Sequence, residues 1–206
     1  AMNSKKINIY NQMAQVLVGY DHTGLVRDFD KDGDLTSGTK IQECIFINFA
    51  RLLSKDEIKK QSFTMSLGTG GVPADVVWNV GAASLYTISD YSASTQYKVN
   101  SPAGEYGILY SGSGDATGIG LIYYQAGIAV ITGSVFSGSG EPLGHAGAGG
   151  EVDFGMHAAS AFETGSFSAV LTGSNISSSC DAFRNRIYNV AFDNTTELNS
   201  TIYFCR

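Results

Sequence analysis

The chain has 206 residues, 43% of them hydrophobic and 16% charged, with a net charge of −6 and a pI near 4.9. That length suits one domain with a sizeable core, and the acidic balance argues against a nucleic-acid binder, which would carry a basic stripe. Twenty-five glycines beside only 3 prolines, with 11 tyrosines and 11 phenylalanines, exclude a collagenous chain and favour a β-rich domain with many tight turns.

At the N-terminus, Ala1-Met2 reads as a cloning remnant and is set aside. Residues 3–18, with Ile7, Ile9, Met13, Val16 and Leu17, fit neither the helical nor the strand period, so helix and extended arm both stay open. Tyr20 to Thr39 turns to Asp, Gly and Thr, the chemistry of loops. Cys44–Leu53 is a strong strand candidate. Ser54-Lys-Asp-Glu57 after it matches a capping box and predicts one helical turn. Phe63–Leu67 alternates as a half-buried strand, and Ser84–Ile88 and Gln96–Val99 are shorter strand-like pieces.

Glu105–Tyr110, Gly120–Tyr124 and Gly127–Thr132 are the densest β-formers and are expected at the centre of the sheet. The last two are separated only by Gln125-Ala126, a hairpin spacing. They also account for the apolar run Ile119–Val135 better than a membrane span does, because the run holds Gln125, Gly120, Gly127 and Gly133. Residues 133–150 are mostly Gly, Ser and Ala and predict a mobile loop. Ser178 to Asn189 predicts a helix extending to about residue 190, capped by Ser178 or Ser179, with Phe183, Ile187 and Val190 on its apolar face and Arg184 and Arg186 on the polar one. Leu198–Arg206 alternates like a strand with nothing to close it, so the chain reads as one β-rich domain, 3–206, cut from a longer polypeptide. The expected fold is mainly β, antiparallel and sandwich-like, with one packed helix near 178–190; α+β is the alternative.

Candidate sites are few. Asp28-Phe-Asp-Lys-Asp-Gly-Asp34 puts Asp28, Asp30, Asp32 and Asp34 at positions 1, 3, 5 and 7 of a calcium-type loop, with Gly33 at position 6. Position 12 is Thr39 instead of a bidentate carboxylate, and Glu43 completes the set only by folding back, so an acidic solvated turn is the competing reading. No other cofactor is expected. His22, His145 and His157, with Glu151 and Asp153, include the ligand types for zinc or iron but lack HxH or HExxH spacing. Cys44, Cys180 and Cys205 are odd in number and form no CxxC; Cys44 lies in a strand run and reads as core, not as a nucleophile. Sequons at Asn175, Asn194 and Asn199 come with no signal peptide, which leaves a reduced, cytoplasm-assembled protein as the better reading. Gly112–Gly118 has the wrong glycine spacing for a dinucleotide site, and neither a P-loop nor a GxSxG elbow is present. Lys5-Lys6 and Lys59-Lys60 read as solvated surface. Tyr106, Tyr110, Tyr123 and Tyr124 suit either half-buried packing or a sugar- or protein-contact surface.

Glu43–Lys60, Ser101–Gly107, Gly118–Ile131 and Phe192–Arg206 resemble, in order, segments of large virion structural proteins of T4-like, marine-type tailed bacteriophages. Residues 133–175 share none of this. The resemblance implies a tail, baseplate or neck subunit assembled in the bacterial cytoplasm, contacting other virion subunits and itself, with no catalytic residues to transfer. The expectation is therefore a structural domain, not an enzyme, that assembles through β surfaces, without direct nucleic-acid contact or a membrane span. A receptor- or glycan-binding tail module is the alternative, and a metal-dependent hydrolase a more distant one.

Overall fold

Tyr10, Met13, Ala14 and Leu17 recur at helical spacing, and burial of that stripe makes Met2–Leu17 a helix, α1. Ile7, Ile9 and Val16 remain 59%, 40% and 64% exposed; these off-stripe apolar residues blurred the period in the sequence. Gly19, at φ +81°, turns the chain out of the helix, its N–H and that of Val18 both reaching Ala14 O. Ser101 Oγ donates to the otherwise orphaned Leu17 O.

The computed structural model describes residues 2–68, 85–111, 118–136, 180, 183–184 and 187–196. It is mainly β. Strands β1 (Phe29–Asp30) and β2 (Lys40–Ile41) form a small hairpin. A curled seven-stranded antiparallel sheet contains β3 (Cys44–Asn48), β5 (Thr64–Gly68), β6 (Leu85–Ser89), β7 (Tyr106–Ser111), β8 (Gly118–Tyr123), β9 (Ile128–Thr132) and β10 (Ile187–Ala191). Its order is β10-β5-β6-β7-β8-β9-β3. A third, two-stranded sheet joins β4 (Glu57–Ile58) to β11 (Asn194–Thr195).

The expected central strands are β7 and β8, with β9 between β8 and the edge. The apolar run from Ile119 folds back through a tight turn in which Gly127, at φ +63°, donates to Tyr123 O. No helix among the described residues is long and apolar enough to cross a membrane.

Alternation along the strands sends side chains to two apolar clusters. Met65, Leu67, Ile88, Leu109, Ile122, Ala129 and Ile131 face one, joined by Phe49, Ile58 and Phe63. Tyr106, Ile108, Tyr110, Leu121, Tyr123 and Val130 face the other, beneath α1 and the β1–β2 hairpin. Each fully buried aliphatic or phenylalanine side chain contributes about 1.5–3 kcal/mol, so both faces stabilise the sheet. Among the described residues the layers covering it are α1, the hairpin and the β4–β11 pair, not a second large sheet.

Three expectations are corrected. Ser54–Glu57 does not start a helical turn: Glu57 pairs with Thr195 in β4–β11, a partner far along the chain that a local capping pattern cannot reveal. The helix expected to about residue 190 is helical at Cys180, Phe183 and Arg184, but Ile187–Ala191 is β10, paired with β5. Sheet-edge pairing overrode the helical spacing of Ile187 and Val190. Gln96–Val99 is no strand; α2 (Ala93–Gln96) ends there, leaving only an isolated bridge between Lys98 and Tyr106. Of the predicted mobile loop, Gly133–Phe136 forms a 3-10 turn with Val135 buried, and 137–150 lies outside the described residues, as does Leu198–Arg206.

Candidate functional site

The aspartate loop spans β1 to β2 and folds on its own carboxylates. Asp32 N–H donates to Asp30 Oδ1 at 3.2 Å and Asp34 N–H to Asp32 Oδ1 at 3.1 Å. Thr36 and Ser37 N–H both reach Asp34 Oδ1 at 2.9 Å. Gly33 (φ +74°) and Gly38 (φ +84°) supply the left-handed turns that this path requires. The loop is anchored to the sheet through Gly33 O, which accepts from Asn100 Nδ2 at 3.0 Å and lies 3.1 Å from the Tyr106 hydroxyl.

Carboxylate oxygens of Asp30, Asp32 and Asp34 lie within 4.8 Å of one another. Asp28 is not brought in; its Oδ1 lies 3.4 Å from Tyr10 Oη, which donates to Ile41 O at 2.5 Å. Thr39, at position 12, is used through its backbone, with its O accepting from Lys31 N–H at 3.2 Å. Glu43 gives its O to Gly133 N–H and is outside the cluster. The cationic charge at Asp30 comes from the chain itself: Lys40 Nζ pairs with the fully buried Asp30 Oδ2 and donates to Ser37 O at 3.0 Å. A tethered ammonium thus stands beside the oxygens that a divalent cation would use. Lys40→Ala is expected to lower the Tm by removing the partner of a buried carboxylate, and added calcium to recover part of that loss. The wild-type Tm is expected to be unmoved by calcium. Differential scanning fluorimetry with calcium, magnesium and EGTA checks both.

Hydrogen bonds from Ser37 and Thr36 hold the Asp34 carboxyl down at about 2. A depressed folded pKa stabilises the fold above the unfolded value and is lost as pH falls through the folded one. The stability gap between wild type and Asp34→Asn is therefore expected to be full near neutrality and to close as pH drops from about 4 to about 2. Urea titrations across that range measure it.

His22 lies exposed in the Asp21–Leu25 turn; His145, Glu151, Asp153 and His157 lie outside the described residues. Cys44 is half-buried in β3, and burial pushes its thiol up to about 12, so at neutral pH it is not the thiolate a nucleophile requires. Tyr106, Tyr110, Tyr123 and Tyr124 are buried, at most 6% exposed. They are packing residues, and not even half-exposed. Tyr106 stacks on Tyr123 at 5.0 Å between centroids, and neither ring offers a face to a sugar.

The sequence reading missed Asp90. Fully buried at the end of β6, it accepts from Gln61 N–H (2.8 Å), Phe63 N–H (3.0 Å) and Tyr124 Oη (2.9 Å). Burial raises its pKa despite those three donors. Nearby, Lys60 pairs with Glu105 and stands 4.7 Å over the Tyr97 ring. The one available signal was an aspartate ending an apolar alternating run, which is too common to interpret alone. An open cleft of about 650 Å³ lies between the aspartate loop and α2, lined by Lys31, Asp32, Thr39, Thr95, Tyr97 and Lys98. Comparison with known proteins found no matching protein family, no similar curated protein and no similar solved structure.

Proposed function

We propose that the chain is a structural domain of a tailed-phage virion protein, acting in particle assembly through protein–protein contacts. One observation carries the reading. The phage-like segments are scattered along the sequence but adjoin in space. Glu43–Lys60 supplies β3, which pairs with β9 of Gly118–Ile131. It also supplies β4, which pairs with β11 of the segment beginning at Phe192. Ile58 N–H donates to Tyr124 O, and Tyr124 N–H to Glu105 O of Ser101–Gly107. Phe49 and Phe192 rings meet at 5.9 Å. The described residues of these segments therefore form one contiguous body, which supports their being a shared structural unit.

The test is whether the gene product is in the particle. Antibody raised against this chain is expected to label purified virions in immunogold microscopy, and its peptides to appear in virion mass spectrometry at structural-protein stoichiometry. Absence from purified particles overturns the reading. The cleft beside Tyr97, a residue 40% exposed, supports a second reading as a ligand-binding tail module.

A further inference from the structure

Among the described residues β3 is an edge strand with no strand on its outer side. Cys44-Ile-Phe-Ile-Asn48 contains no charge and no proline, and its register with β9 runs from Cys44↔Thr132 to Asn48↔Ile128 without a bulge. These are the devices by which sheet edges are normally protected from pairing. The bonds flanking this ladder fix which backbone groups point where. Gly133 N–H donates to Glu43 O and Phe49 N–H to Gly127 O, so residues 43, 45, 47 and 49 bond toward β9. By antiparallel alternation, the N–H and C=O groups of Cys44, Phe46 and Asn48 point away from it. Among the described residues no strand pairs with them. Ile45, Phe46 and Ile47 stay partly exposed although both sheet faces are covered.

The flanks indicate what fits there. Exposed Glu43 stands just before the strand and exposed Arg51 just after it, and among the described residues neither has an ion-pair partner. Leu52, 62% exposed, lies beside Arg51. A parallel strand of the same sequence would set Glu43 against Glu43 and Arg51 against Arg51. An antiparallel one brings Glu43 of each copy toward Arg51 of the other. It also begins to cover both Leu52 side chains.

We infer that β3 pairs antiparallel with β3 of a second copy of this chain about a two-fold axis at Phe46, joining the two seven-stranded sheets into one. Phe46 then faces its own counterpart, Cys44 faces Asn48 of the other copy, and every outward N–H and C=O of the three residues is bonded. Such a contact is isologous and closed, so it stops at a dimer. Its place in particle assembly rests on the virion reading above; the contact itself rests on strand geometry and charge.

Two measurements test it. Sedimentation velocity from about 1 µM to about 100 µM is expected to show a monomer–dimer equilibrium. Glu43→Lys should weaken the dimer about tenfold at low salt, and the double variant Glu43→Lys, Arg51→Glu should restore it. In a Cys180→Ser, Cys205→Ser background, Asn48→Cys should cross-link to Cys44 of the other copy on mild oxidation, because hydrogen-bonded antiparallel pairs hold their Cα atoms about 5.5 Å apart, within disulfide reach. A monomer throughout overturns the inference, whether or not hydrogen exchange shows the Cys44, Phe46 and Asn48 amides protected by the chain itself. So does a dimer that neither cross-links here nor responds to the charge swap. A cross-linking dimer absent from virions keeps the contact and removes the virion reading.

Discussion

Asp90→Ala is expected to destabilise the fold by about 3–5 kcal/mol and to lower the Tm by roughly 10 °C. The carboxylate joins three separate pieces of chain: the segment at Gln61 and Phe63, the end of β6, and Tyr124 in the turn after β8. Removing it strands two backbone N–H groups and a fully buried tyrosine hydroxyl, each of which then carries its own desolvation cost. Tyr124→Phe removes one donor and leaves the acceptor satisfied by two, so about 1 kcal/mol is expected. A double-mutant cycle should show strong coupling between the two positions. The pH dependence has a fixed sign. Because burial raises the Asp90 pKa in the folded state, its protonation favours folding at acidic pH, and that contribution is lost as pH rises through the raised value. The stability of wild type relative to Asp90→Asn should therefore be greater at mildly acidic pH than at neutral pH. Urea denaturation of the three variants at both conditions checks magnitude and sign, and an Asp90→Ala loss below about 1 kcal/mol sinks the assignment.

Gly107→Ala is expected to be nearly as damaging, at about 2–4 kcal/mol. Gly107 lies in β7, the middle strand of the sheet, and a Cβ there would overlap Tyr124 Oη and come within 3.2 Å of the Ala93 Cβ. The new methyl group must either displace the tyrosine from Asp90 or push α2 off the sheet. If the hydroxyl is the main obstruction, Gly107→Ala should cost distinctly less in a Tyr124→Phe background than in wild type. Chemical denaturation of the two single variants and the double variant measures that difference, and simple additivity rejects the proposed clash.

The two effects also show why the aspartates were read unevenly. Asp28, Asp30, Asp32 and Asp34 were conspicuous because they alternate within one short segment, and three of the four do come together. Yet Asp30 is committed to Lys40, and Asp28 stays out of the cluster beside a Tyr10 hydroxyl that donates to Ile41 O, neighbours that motif spacing does not reveal. Asp90 has no motif around it. Its donors come from Gln61, Phe63 and Tyr124, about thirty residues away on either side, and only the antiparallel pairing of β5 with β6 brings the first two to it. Likewise, Tyr106, Tyr110, Tyr123 and Tyr124 were ambiguous as letters; being covered by α1, the aspartate loop and β4 made them core.

Composition and local period together determined that the chain is mainly β and antiparallel, with its densest β-formers near the middle of the sheet. Those features follow from side-chain alternation and turn chemistry, which act over a few residues. Tertiary structure alone decided that Glu57 lies in a strand instead of a helix cap, that Ile187–Ala191 extends the sheet instead of ending a helix, and that Asp90 is the buried hub. In each case the deciding partner lies roughly thirty or more residues away: Thr195 for Glu57, β5 for β10, and Gln61, Phe63 and Tyr124 for Asp90. Pairing energy supplied across that separation outweighs the few tenths of a kcal/mol per residue that local propensity contributes.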